Sequence, residues 1–91
     1  MIKSEICRKI SMLGGEKQRT LVYYLIADLL PRRLFLAQYG VGVSVLESRD
    51  EVDVRCITPN RSRAVQLADL LASNYVTPVA LGDVFYDWLC K

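Results

Sequence analysis

The sequence predicts an α+β fold in two layers: an antiparallel three-stranded meander with two C-terminal helices packed on one face, in the order β-β-β-α-α. Three observations carry it. Leu81, Val84, Phe85, Trp88 and Leu89 fall at i, i+3, i+4, i+7 and i+8, one apolar face of a helix. Val41, Val43 and Val45 alternate with Gly40, Gly42 and Ser44, and Val52, Val54 and Cys56 alternate with charged residues, as two half-buried strands do. Thr58-Pro59 and Thr77-Pro78 each offer a capping hydroxyl followed by proline at the first helical position.

The elements follow in chain order. Residues 1–19 read as an N-terminal arm, flexible or forming a short helix on Ile2, Ile6 and Ile10, and residues 20–91 as a single α+β domain. Thr20 to Leu30 is apolar on both parities, and Val22, Tyr23, Tyr24 and Ile26 favour a strand because β-branched and aromatic side chains suit a pleated surface. Pro31-Arg32-Arg33 breaks it.

The next two strands form a hairpin. Pairing Val45 with Val52, Val43 with Val54 and Val41 with Cys56 keeps every apolar side chain on the core side, so Cys56 is expected to be buried. The helix after Thr58-Pro59 places Ala64, Leu67, Ala68 and Leu71 on one stripe, with Asn74 as a left-handed cap. In the last helix Trp88 is expected in the core.

Composition narrows the function classes. Ninety-one residues, 52% hydrophobic and 24% charged, make one ordinary globular domain. The net charge of +2 lacks the basic excess usual in proteins that grip phosphate backbones. Cys7, Cys56 and Cys90 have no framework spacing, and the start lacks a secretion-signal layout, so reduced thiols and a cytoplasmic location are expected. No apolar run approaches the ~18 residues of a membrane span.

The chain contains no histidine. That removes the usual general base and the Ser-His and Cys-His pairs, so no enzyme is expected. It also removes the commonest zinc ligand, and neither a metal nor another cofactor is expected. Asp83 and Asp87 have the spacing of a carboxylate pair but read as a solvated helix face, Asp83 being favoured near the helix start.

Tyr39-Gly40-Val41, Val76-Thr77-Pro78-Val79-Ala80-Leu81, Asp83-Val84 and Asp87 together resemble a family of small uncharacterised bacterial proteins of clostridia-type Firmicutes. Its pattern is a Tyr-Gly-Ile strand, a helix, a Val-Thr-Pro turn and a helix reading Leu-x-Asp-Val-x-x-Asp-Phe. Val41 and Trp88 stand where that pattern has isoleucine and phenylalanine. The resemblance spans roughly residues 20–90 and implies a strand over Thr20–Asp28; it implies no activity.

Two surfaces stand out. Gly40, Gly42 and Ser44, with Tyr39 beside them, leave one side of their strand bare, and such a face or a free sheet edge can receive a partner. Arg61 and Arg63 in the first helical turn, with Arg32 and Arg33 in the earlier turn, form a small cationic set suited to an anion or nucleic acid. The expected function is a small non-enzymatic interaction or regulatory module, a homodimer or an inhibitor or adaptor of a larger protein. The alternative is a nucleic-acid-binding accessory protein that uses the arginines.

Overall fold

A computed structural model describes residues 2–11, 18–29 and 37–90. Four strands form one antiparallel meander in the order β1-β2-β3-β4: β1 (Ile2–Ser11), β2 (Arg19–Leu29), β3 (Ala37–Val45) and β4 (Asp50–Thr58). Helices α1 (Arg61–Ser73) and α2 (Leu81–Leu89) follow, with a 3-10 turn at Pro78–Ala80 leading into α2. The α+β class and the two C-terminal helices agree with the sequence reading, but the strand count does not.

The missing strand is the N-terminal stretch, which is neither an arm nor a helix. Its isoleucines, four apart, fit one face of a strand as well as a helix. A bulge at Ile6 inserts one residue between Glu5 and Cys7, which leaves Ile2 opposite Ala27 on the helix side and Ile10 opposite Thr20 on the other. Cys7 then pairs with Tyr23 and Lys9 with Leu21, facing the helices. Strand pairing with β2 overrides the local helical period.

The core lies between the sheet and the helices. Leu21, Tyr23, Val41, Val43 and Val45 meet Leu67, Ala68, Leu71 and Ala72 of α1, together with Val76 and Leu81. Val84, Phe85 and Trp88 are only partly buried against this cluster, and Leu89 is exposed. The last helix thus closes the rim of the core, and α1 fills its centre.

The β3–β4 register is two residues from the expected one. A four-residue turn, Leu46–Arg49, ends in the left-handed region at Arg49 (φ 60°) and sets Val45 opposite Asp50, Val43 opposite Val52 and Val41 opposite Val54. A two-residue slip keeps the same faces, so alternation alone cannot distinguish the two pairings.

Beyond Val54, β4 bulges. Arg55, Cys56 and Ile57 oppose Gly40 alone before Tyr39 pairs with Thr58. Cys56 therefore sits at φ 57° with its side chain exposed, not buried opposite Val41. Gly40 permits the bulge, since a Cβ there would lie 2.1 Å from the Val54 carbonyl oxygen.

The helix ends also differ from expectation. Asn60, not Thr58, caps α1, its Oδ1 accepting from the Arg63 N–H at 3.3 Å. Thr58 Oγ1 accepts from the Asn60 N–H at 3.1 Å. Asn74 is not left-handed; Tyr75 is (φ 50°). The Tyr75 N–H donates to Ala72 and the Val76 N–H to Leu71, the paired bonds of a Schellman ending.

Candidate interaction site

The glycine strip is not open. Gly40 and Gly42 are buried and Ser44 is 8% exposed. Tyr24, opposite Gly42, covers this side, and its phenol oxygen accepts from Ser44 Oγ at 3.4 Å. Ile26 reaches to 3.5 Å from where a Gly42 Cβ would stand. Val22 and Ile26 are wholly buried on the same side. Tyr39, one residue out of phase, lies on the helix side of β3, so the structure does not group it with Gly40, Gly42 and Ser44.

Charges bridge this covered side. Lys3 pairs with Glu51 across the full width of the sheet, and its Nζ lies 4.0 Å from Asp53. The side-chain-free glycines between them leave room for the span. The Glu51 hydrogen bond raises the Lys3 pKa above its ordinary value. Arg55 donates through Nε and Nη2 to both oxygens of the buried Asp28, at 3.0 and 2.6 Å, and holds that carboxyl below its usual range.

The cationic set does not assemble into one patch among the described residues. Arg61 and Arg63 are exposed on the first turn of α1, but Arg63 lies over the Trp88 ring, 5.0 Å from its centroid. Arg32 and Arg33 fall outside the described residues.

The opening the structure does show lies on the helix side, at the β4 edge. A groove of about 290 Å³ runs between Leu21, Val45 and Val52 of the sheet and Thr77, Pro78 and Val79, with Arg19, Asp50 and Glu51 at its margins. Val79 is 93% exposed and Val52 41%, large fractions for branched aliphatic side chains.

Local chemistry builds this groove. Pro78 is buried and starts the 3-10 turn, which turns Val79 outward before α2 begins. The hairpin wall is pinned to β2 by Glu47, whose carboxylate accepts from the Thr20 N–H at 2.7 Å and the Thr20 hydroxyl at 2.9 Å. The backbone N–H of Thr20 is the main reason the Glu47 pKa is lowered. Ser48 donates to Asp50 at 3.0 Å and holds that carboxylate at the margin.

Sequence reasoning assigned Val52 to the core and gave Val79 no role. One signal was present: Val79 falls outside the periodic set Leu81, Val84, Phe85 and Trp88, an apolar residue without a core position.

Among the described residues there is no cluster of three or more His, Cys, Asp or Glu side chains placed to hold a metal ion. No described helix is long and apolar enough to cross a membrane. The model of a family of unknown function (DUF6514) matches residues 2–91. No curated protein and no solved structure matches the chain.

Proposed function

For a chain that belongs to this family of unknown function, we propose a non-enzymatic role as a protein-interaction module, whose docking site is the groove between β4 and the Pro78–Ala80 turn. The observation that carries it is the pair Val52 and Val79, two exposed aliphatic residues flanking an apolar groove beside a sheet edge. Burying such a patch against a partner gains about 25 cal/mol per Å² of apolar surface, which no contact among the described residues supplies.

The module reading replaces the covered glycine strip with this groove and includes regulation of a larger protein as its natural use. The three cysteines are free, which favours a reducing, cytoplasmic setting, and the Val-Thr-Pro motif favours a bacterial source. The nucleic-acid reading is the weaker one, since Arg63 is engaged by Trp88 and carboxylates border the groove.

A photo-crosslinking amino acid at position 79, compared with one at the exposed Asp69 of α1, tests the proposal in the native host. A discrete adduct from position 79 alone is expected. Equal labelling from both positions, or none from 79, refutes the docking site.

A further inference from the structure

Resting on that docking reading, we infer that the occupant is an extended segment of alternating apolar and basic residues, which adds to the sheet as a fifth strand beside β4. β4 is an edge strand, so alternate backbone N–H and C=O groups along it point away from β3. Its ladder to β3 is regular from Asp50 to Val54 and bulges only beyond. Five regular residues suit a short peptide, while the bulge limits longer sheet-to-sheet growth.

Alternation fixes what such a segment carries. Its residues on the helix side lie beside Val52 and enter the groove under Val79 and Pro78. Its residues on the other side lie beside Glu51 and Asp53, about 5 Å away across the new strand pair. Opposite charge is favoured there and like charge opposed. Lys3 already shows the attraction, reaching these carboxylates from β1, with β2 and β3 lying between. Lys3 approaches from inside the sheet, and an incoming lysine or arginine approaches from the open edge.

Charge also decides against a second copy pairing β4 with β4. A two-fold centred on Val52 places Glu51 opposite Asp53 twice, and like charges directly opposite destabilise a strand pair. Strand addition by a basic, amphipathic partner segment has no such conflict.

The test uses the full ¹⁵N-labelled chain and a blocked Lys-Val-Lys-Val-Lys peptide, followed by amide chemical shifts. Shifts concentrated at Glu51–Asp53 and at Thr77, Val79 and Ala80 are expected, with at least tenfold weaker binding of Glu-Val-Glu-Val-Glu. N-methylation of the valines and of the lysines should give opposite results, because only one set of peptide N–H groups faces β4. Equal binding of the acidic peptide, equal behaviour of the two methylated forms, or no peptide-dependent shifts overturns the inference. Shifts at Asp50–Val54 that depend on protein concentration alone assign the edge to a second copy and overturn it too. If these fail while position 79 still crosslinks a partner, strand addition falls and the docking site stands; loss of the crosslink removes the docking site itself.

Discussion

The phenol of Tyr23 on β2 donates a 3.0 Å hydrogen bond to the carbonyl oxygen of Val76, 53 residues away, in the centre of the core. It joins the sheet to the segment that leaves α1 and sets where the Pro78–Ala80 turn lies. Desolvation pushes the Tyr23 pKa up from 10.0 to about 12.

Tyr23→Phe removes the donor and leaves a buried carbonyl unpaired. A loss of about 1–3 kcal/mol is expected, read as a fall of roughly 5–20 °C in melting temperature for a chain of this size. The wild type should also lose stability as pH rises from 10 toward 12. The unfolded phenol ionises there first, while the folded one still holds its proton. The phenylalanine variant should lack this alkaline limb.

Val43 and Asp53 test the faces of the sheet. Val43 is wholly buried, so Val43→Asp should unfold the domain, an unpaired buried charge costing several kcal/mol against a total of about 5–15. Asp53→Val removes only an exposed carboxylate 4.0 Å from Lys3 and should leave the melt nearly unchanged. Circular-dichroism melts read both, and equal losses would contradict the assigned faces.

What was legible in the sequence follows from what alternation and periodicity encode. The valines of β3 declare the core face because side chains alternate along a strand, and Leu67, Ala68 and Leu71 declare the stripe of α1. The N-terminal strand was hidden because isoleucines four apart fit a helix as well as a strand, and the bulge at Ile6 moves the residues after it to the other face, so no unbroken alternation marks the stretch. The register was hidden because pairings that differ by two residues place the same side chains on the core face, and the observed one goes with a four-residue turn that ends at a left-handed Arg49. The groove was hidden for another reason. It forms where the Pro78–Ala80 turn meets β4, a tertiary contact between segments with no shared pattern.

Gly40 and Cys56 make a matched pair of backbone tests. Gly40→Ala would put a Cβ 2.1 Å from Val54 O and 2.8 Å from Arg55 Cα, both backbone atoms, so the bulge must rearrange. Loss of several kcal/mol, or failure to fold, is expected, in the range of severe overpacking. Cys56→Gly relieves a positive φ at an exposed position and should be neutral or stabilising by up to about 1 kcal/mol. Denaturant melts of both variants decide whether the bulge is built as described.

Asp28 gives the acid limb of the stability curve. Its folded pKa is lowered, chiefly by the Arg55 hydrogen bonds, so the stabilisation is present above the ordinary carboxylate pKa of 3.8. It is lost as pH falls from there through the lower folded value. Asp28→Asn should flatten the stability profile below pH 4. Arg55→Met should shift the Asp28 titration, followed by carboxyl-carbon NMR, back toward its ordinary range. A titration that does not move would show that Arg55 is not the cause.

Trp88 lies half-buried against the rim of the core, with Arg63 over one face of its indole and Phe85 stacked 6.2 Å away. Its native emission should therefore fall between those of a buried and a free indole. Arg63→Ala uncovers a ring face, so emission should shift to longer wavelength. Quenching by acrylamide should rise, a neutral quencher being chosen so that loss of the arginine charge does not alter its local concentration. The stability change should stay within about 0.5–1 kcal/mol, the size of an exposed cation–π contact. Trp88→Ala should cost more, about 1–3 kcal/mol, because a partly buried indole gives up less packing than the 3–5 of a fully buried one. If Arg63→Ala leaves both emission and quenching unchanged, the guanidinium does not rest on the indole in solution, and Arg63 returns to the exposed cationic set beside Arg61.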